Sequence, residues 1–477
     1  MSDVIRVQAR EFPLQVPVVI IGAGAAGLVA ALAAREAGAE VLVLERDALP
    51  RGSTALSAGL VPAAGTRWQR QADIADTAAL FAGDILSKAK GEPDRAIVEL
   101  VTEQAAPTLE WLADRHGLPF SVIADFSYPG HSARRMHGLP SRSGEELIDG
   151  LRQAAEAAGV EILCEAQVTR LFADAEGRVL GLAFSRPDGS AEEVGCDRLV
   201  LACNGYGGNK ALVARHIPSL KDALYFGHPG NQGEAVLWGE ALGAATGHLG
   251  GHQGHGSVAH PAGILITWAT ITEGGVQVNA LGRRFCDESR GYSEQAAEVL
   301  KQPDGLAWTI FDSRIAGIAR QFEDFKRAEA MGAILSATDW PELARRMGVP
   351  ERALAETMAE LSAGKIQGGR DAYGRDLTAS PELQPPYLAV KVTGALFHTQ
   401  GGLVIDAGAR VQSAQGAPLP NLYAAGGAAC GVSGSGAEGY LSGNGLLTAV
   451  VLGRVAGSGA ALSATAARDD GGGSRAL

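Results

Sequence analysis

A chain of 477 residues exceeds one ordinary core, and its 46% hydrophobic and 20% charged residues are the balance of a folded protein with two domains as the natural expectation. A net charge of −12 argues against a nucleic-acid partner, because phosphate binding needs a basic patch. The cysteines Cys164, Cys196, Cys203, Cys286 and Cys430 are scattered with no CxxC or CxxCH, so disulfide, haem and metal frameworks are disfavoured and no metal site is expected.

The N-terminal stretch carries charges at Asp3, Arg6, Arg10 and Glu11 and has no apolar centre, which is unlike a signal peptide. No stretch reads as a membrane span, so a cytoplasmic protein without a membrane partner is expected. From Val16 to Glu45 an apolar strand, a glycine turn, an Ala-rich helix ending at Gly38 and a second strand, Val41 to Leu44, make a complete βαβ unit. Thr77 to Arg115 and Glu145 to Ala158 read as helix, whereas Val160 to Leu182 and Arg198 to Ala202 return to strand. Between about Gly250 and Tyr387 the signals are mixed, ending in an amphipathic helix over Trp340 to Leu361, which suggests an insertion. Asn421 to Gly427 is again a strand entering a glycine turn, and Gly443 to Gly457 a closing helix. The expected organisation is a discontinuous nucleotide-binding domain over 15–250 and 388–462, a capping domain over 251–387, and a disordered tail over 463–477.

Val18-Val-Ile-Ile-Gly22-Ala-Gly24-Ala25-Ala26-Gly27 places GxGxxG between a buried strand and a helix, so backbone N–H groups and the positive helix end can face a pyrophosphate. The second strand ends in Glu45, followed by Arg46, and supplies the acid that a ribose hydroxyl needs. FAD rather than NAD follows from the small, hydroxyl-rich run Arg51-Gly52-Ser53-Thr54-Ala-Leu-Ser57-Ala58-Gly59. Two further strand-to-glycine turns point the same way: Ala202-Cys203-Asn204-Gly205 and Gly426-Gly427. The histidines His248, His252, His255 and His260 stand in a Gly-rich setting without an accompanying acid or Cys, and read as a hinge rather than a metal site. A basic run, His131 to His137 with Arg134 and Arg135, followed by Arg142, reads either as a solvated loop or as a carboxylate-facing segment.

These pieces, together with Ala202-Cys-Asn-Gly-Tyr-Gly-Gly-Asn209, His260-Pro261, Asn279-Ala-Leu-Gly-Arg-Arg-Phe-Cys-Asp-Glu288, His398-Thr-Gln-Gly-Gly402 and Gly439-Tyr-Leu-Ser-Gly-Asn-Gly445, resemble the fumarate reductase, succinate dehydrogenase and 3-ketosteroid dehydrogenase superfamily of flavoproteins from Val18 to Gly457. The resemblance implies an α/β protein: a Rossmann-like FAD-binding domain with an inserted α+β capping domain. It adds Val168, Gly402, Gly443, Asn444 and Leu446 to the FAD-lining residues above. It implies non-covalent FAD, because Ser53 stands where covalent members carry a histidine. Dicarboxylate-binding members use two histidines, matched here by His260 and His398, and an arginine in the closing glycine segment, where this chain has Tyr440; Arg290 is the remaining candidate for the cap arginine. Losing that arginine removes the strongest contact a dianion could make.

Tyr440 and Ser442 look instead like the segment of ketone-desaturating members, with Tyr292 as a second tyrosine. Desaturation beside a carbonyl needs a base for the α-proton, a donor to the carbonyl oxygen and a hydride acceptor. Tyr440 is assigned to the carbonyl or the α-proton, Ser442 to tuning it, Tyr292 to the complementary role, His398 to a donor or a structural turn, and His260 to substrate or cap. The expected activity is FAD-dependent desaturation of a cyclic or steroid-like ketone, including one bearing a carboxylate, with a diffusible electron acceptor. Reduction of an activated alkene acid is the alternative.

Overall fold

The computed structural model describes residues 3–124 and 128–471. They divide into two compact units, one of Met1–Ile217, Gly227–His252 and His398–Leu477, the other of Pro218–Phe226 and Gln253–Phe397.

The β-branched run after Gln15 forms the strand Gln15–Ile21, buried along all but its first residue. Side by side and all parallel lie Pro418–Ala424, Ala191–Leu201, Gln15–Ile21, Val41–Leu44 and Glu161–Leu163. Parallel strands buried on both faces read as continuous apolar runs, which is why this sheet is so plain in the sequence. An antiparallel pair, Gln167–Ala173 and Val179–Ser185, continues the sheet from the first half of Ala191–Leu201.

The fingerprint helix Ala25–Glu36 is buried from Ala25 to Ala34 and packs on the closing helix Asn444–Gly471. Glycine allows this approach: a Cβ at Gly453 would stand 2.5 Å from the Ala26 carbonyl oxygen, and one at Gly457 2.0 Å from that of Ala30. Two expectations change here. The tail expected from Ser463 is helical as far as Gly471, as a continuation of the closing helix, and 472–477 lie outside the described residues. Asn444–Ala464 is also long and apolar enough to cross a membrane by length and composition; it passes that test because it is largely a core helix.

In the second unit the sheet runs Ile264–Leu265, His252–Ala259, Tyr387–Thr399, Leu306–Asp312, Val276–Val278. Its core gathers Ile310, Phe311, Phe325, Leu343, Leu354 and Val390, all without solvent exposure. The single helix expected over Trp340 to Leu361 is two, Trp340–Met347 and Glu351–Gln367. Gly348 in the left-handed region (φ 72°) ends the first, and Pro350 caps the second, so the amphipathic period continues across a corner. Leu224–Tyr225 joins this sheet by parallel pairing with Ala395 and Leu396, which brings in Pro218–Phe226 from far upstream. Most of the strand Tyr387–Thr399, expected with the nucleotide-binding part, lies in this second unit, which ends at Phe397.

Candidate active site

The cofactor cradle starts at a turn only glycine makes. Gly22 has φ 100°, and a Cβ there would lie 2.6 Å from the Ala202 carbonyl oxygen; one at Gly27 would lie 1.8 Å from that of Gly22. Thus the fingerprint turn, Ala202 and Cys203 are stacked backbone to backbone. The Glu45 carboxylate, 6% exposed, accepts N–H bonds from Ala23 (2.8 Å) and Asp47 (3.0 Å), and burial holds its carboxyl above the usual range against those bonds. Arg46 donates to the Gly230 carbonyl at 2.5 Å and lies 3.7 Å from Glu234.

The small, hydroxyl-rich run starts as a short helix, Gly52–Ala55. This folds Thr54 Oγ1 back to accept the Ala25 N–H (3.1 Å), while Ser53 Oγ accepts from the His228 N–H (3.1 Å) and Asn231 Nδ2 (2.8 Å). Ser57 Oγ accepts from Gly59 N–H at 3.1 Å, and Ala58 is exposed. Val168 is buried in its strand, Asn204 turns its Oδ1 onto the Gly205 N–H (2.8 Å), and a Cβ on Gly427 would lie 2.1 Å from that same oxygen. Gly402 is packed against the Ala428 and Ala429 backbone, a Cβ on Gly426 would meet Ala26 Cβ at 3.0 Å, and Gly443 has φ 87° beside Pro62. Leu446, on the first turn of the closing helix, packs on the core. Asn444 is fully buried and its Oδ1 has no partner among the described residues, an acceptor left open at the start of that helix. Close-packed glycines, a buried ribose-type acid and an orphaned acceptor are the donor and acceptor set that FAD fits.

At the same helix start, Tyr440 is 6% exposed and its ring meets the His398 ring edge-on, with centroids 5.5 Å apart. Burial pushes the Tyr440 phenol well above its ordinary range, although its oxygen faces the N–H groups of Gly443 and Gly445. His398, half-buried, falls to about 4 through desolvation, with the Thr399 carbonyl opposing and His252 adding to the fall. Both groups are therefore neutral at ordinary pH.

Ser442, 5% exposed, has its carbonyl bonded to His131 Nε2 at 2.9 Å. Burial, then Arg135, pushes His131 down to about 4. The basic run is thus split: Arg134 and Arg142 are exposed, as in a solvated loop, whereas His131 and Arg135 turn inward. Arg135 is 1% exposed, bonded to Asp76 at 3.0 Å through both Nε and Nη2 and to Asp84 at 2.5 Å, with its guanidinium 4.5 Å from the Phe81 ring centre. Sequence reasoning missed Tyr128, a half-buried tyrosine in electrostatic contact with Tyr440, its phenol raised to about 12 by desolvation. It sits in a Tyr-Pro-Gly turn without periodicity, so only the aromatic itself could have flagged it.

In the second unit, Tyr292 opens the helix Tyr292–Leu300. It stacks on His255 (centroids 5.0 Å, 23° between planes) and meets Trp268 edge-on at 6.3 Å. His255, read as part of a hinge, is buried in the strand His252–Ala259, and desolvation alone takes it to about 3. Just ahead of Tyr292, Glu288 is 1% exposed and bonded to Arg284 (2.9 and 2.5 Å) and the Gln277 N–H (2.9 Å), with Arg375 at 3.3 Å. This network pins the turn Glu288–Arg290. Arg290 and His260 are exposed. The His248 and His252 rings, in the first unit, are bonded to Ser435 Oγ (2.9 Å) and the Gly250 carbonyl (2.8 Å). A cavity of about 270 Å³ in the second unit, between Trp340, Tyr387, Lys365 and Leu383, contains none of the predicted site residues.

The family model for the FAD binding domain matches residues 17–446. The chain is 31% identical over 449 residues to the probable fumarate reductase Ifc3 of Shewanella frigidimarina, covering 93% of this chain and 74% of that one. It is 25% identical over 568 residues to the 4-oxocyclohexanecarboxylate 2-dehydrogenase of Sinomonas cyclohexanicum, covering 95% of this chain and 96% of the relative. Among solved structures, the 3-ketosteroid-Δ4-(5α)-dehydrogenase of Rhodococcus jostii RHA1, in complex with 4-androstene-3,17-dione, superposes with a TM-score of 0.76 at 25% identity, over 97% of this chain and 100% of that one. With a glycine cradle, a buried acid and a family model that all agree, the chain belongs to the FAD binding domain family and is an FAD-dependent oxidoreductase acting on CH–CH bonds of small molecules.

Proposed function

We propose that the protein desaturates the α,β bond of a cyclic or steroid-like ketone, including one bearing a carboxylate. The observation that carries this reading is the uncharged character of the closing segment: the buried Tyr440 and the half-buried His398 are neutral, and the neighbouring guanidinium, Arg135, is neutralised by Asp76 and Asp84. A dicarboxylate needs cationic partners to leave water, whereas a ketone oxygen needs only neutral donors. Two relatives named above are dehydrogenases of cyclic ketones, which supports the same reading.

FAD, when bound, supplies the acceptor for the hydride that leaves the β-carbon. A phenol pushed up by burial gives a hydrogen bond more readily than it takes a proton, so Tyr440 is assigned to the ketone oxygen, where enolate charge develops, with Ser442 setting its loop. Tyr292 is the complementary base for the α-proton, and His398 is a neutral donor. FAD is held without a covalent bond, with Ser53 engaged by His228 and Asn231, and a diffusible acceptor reoxidises it. The second reading, reduction of an activated alkene acid, is favoured by the identity to the Shewanella protein and by the retained His260 and His398.

Anaerobic mixing with saturated cyclic ketones, with and without a carboxylate, and with succinate separates the two. Bleaching of the flavin band by a ketone, slowed about 10²- to 10³-fold in Tyr440→Phe, supports desaturation. Bleaching by succinate alone, or reoxidation of reduced enzyme by fumarate alone, overturns it. Acid precipitation that leaves the yellow colour with the protein pellet would refute non-covalent binding.

A further inference from the structure

Behind His398 runs a chain of buried amide and hydroxyl side chains. Gln400 Nε2 lies 3.0 Å from His398 Nδ1, Ser433 Oγ lies 2.7 Å from Gln400 Oε1, and Asn444 Nδ2 lies 3.0 Å from Ser433 Oγ. Gln400, Ser433 and Asn444 are 4%, 1% and 0% exposed. Donor logic gives the chain one direction. An amide NH₂ only donates, so Asn444 donates to Ser433, the Ser433 hydroxyl donates to Gln400 Oε1, and Gln400 Nε2 donates to His398 Nδ1. An Nδ1 that accepts carries no proton. The competing contact, Nδ1 to the Thr399 carbonyl, is longer at 3.4 Å. The atom left over is Asn444 Oδ1, the one this direction predicts.

We infer that Gln400, Ser433 and Asn444 are positioning residues that fix His398 as the neutral tautomer protonated at Nε2, so that Nε2–H is the single hydrogen-bond donor its ring can offer. This deepens the proposed function, because it rests on His398 lying at the reacting centre. Desolvation, which takes His398 down to about 4, keeps the imidazole uncharged, so the chain selects between two neutral tautomers. The titratable groups facing His398 are His252 and Tyr440, with Glu438 facing His252 and Tyr128 facing Tyr440. In the cofactor fit, the N–H donor and the open Asn444 acceptor are the two ends of one chain.

The test uses FAD-loaded full-length enzyme carrying ¹⁵N-histidine, with NMR reading the protonated nitrogen of His398 from pH 6 to 8, and His398→Gln for assignment. The wild type is expected to show Nε2–H alone. Gln400→Glu replaces the donor at Nδ1 by an acceptor, so Nδ1 becomes protonated, and kcat/KM gains an ionisation between pH 6 and 8 with a loss of about tenfold at the high end, one unit of protonation. Ser433→Ala frees the Gln400 amide to turn over, and both tautomers should then be populated; it serves as the second variant if Gln400→Glu does not fold.

An Nδ1–H tautomer in the wild type would mean that the chain runs the other way, and Gln400→Glu leaving the tautomer unchanged would mean that the chain does not set it; either result overturns the inference. The spectra need no substrate, so they stand apart from the ketone reading. A tautomer switched in Gln400→Glu with unchanged turnover of whichever ketone or enoate proves active would place His398 outside the reaction and refute the positioning role.

Discussion

Arg135 is the perturbation whose cost the structure states most directly. Its guanidinium has no solvent exposure; one partner, Asp76, has none either, and Asp84 has 14%. Arg135→Met keeps the stem and its packing on Phe81 but removes the charge, leaving the Asp76 side chain buried with Gln69 Nε2 (2.9 Å) and the Thr77 N–H (2.9 Å) to solvate it among the described residues. Removing one partner of a buried pair costs about 3–5 kcal/mol, because the remaining charge is uncompensated. In urea that lowers the unfolding midpoint of the FAD-loaded protein by about 1–2 M. The double variant Arg135→Met with Asp76→Leu removes both charges and should recover at least about 2 kcal/mol of the loss. A single variant within about 0.3 M of wild type, or a double variant no more stable than the single, would show that the pair is solvated and the burial argument wrong.

Gly27→Ala puts a Cβ 1.8 Å from the Gly22 carbonyl oxygen, so the helix must draw back from the turn; overpacking of this kind costs about 1–3 kcal/mol, and the flavin absorbance per chain should fall in purified protein while the far-UV spectrum holds. His131 and His137, both taken to about 4 by burial, are neutral when folded and become protonated on unfolding below about pH 6.5. Their stabilising contribution is therefore complete above that pH and is lost as pH falls toward 4, at about 1.4 kcal/mol per pH unit for each; urea midpoints that stay level between pH 7 and 5 would refute it. Tyr128→Phe, which removes a phenol beside Tyr440 without changing its packing volume, should lower kcat with little change in flavin content, and an unchanged kcat would place Tyr128 outside the site.

Much of the first unit was legible because its signals are local. Gly22 and Gly27, the Val-Ile run before them and Glu45 after them all fall within one βαβ stretch of chain, even though Gly22 packs against the distant Ala202, and the sheet registers Val18 with Val41 and Ile21 with Leu44 as that pattern requires. The second unit was less legible, because its membership is decided by pairing at long range. Leu224–Tyr225 has no character of its own until Ala395 and Leu396 lie beside it, and the one helix expected over Trp340 to Leu361 turns a corner at Gly348, whose φ is 72°.

The chemistry shows the same division. Tyr440 could be named from its motif, but its role as donor comes from desolvation, and desolvation is a property of what the fold stacks around a side chain. His131 and Arg135 carry the sign of a solvated loop in the sequence; buried against Asp76, Asp84 and the Ser442 carbonyl, they instead hold the segment that carries Tyr440. Gln400 reads as filler in a Thr-Gln-Gly-Gly turn, and only the 3.0 Å contact to His398 Nδ1 gives it a task. His131 and Tyr440 become neutral, directed hydrogen-bonding groups once they are packed, Gln400 gains a directed contact, and Arg135 keeps its charge but spends it on Asp76 and Asp84. The uncharged closing segment, from which the ketone reading follows, is therefore a consequence of packing, and changes at Arg135 or Gln400 test it as directly as changes at Tyr440.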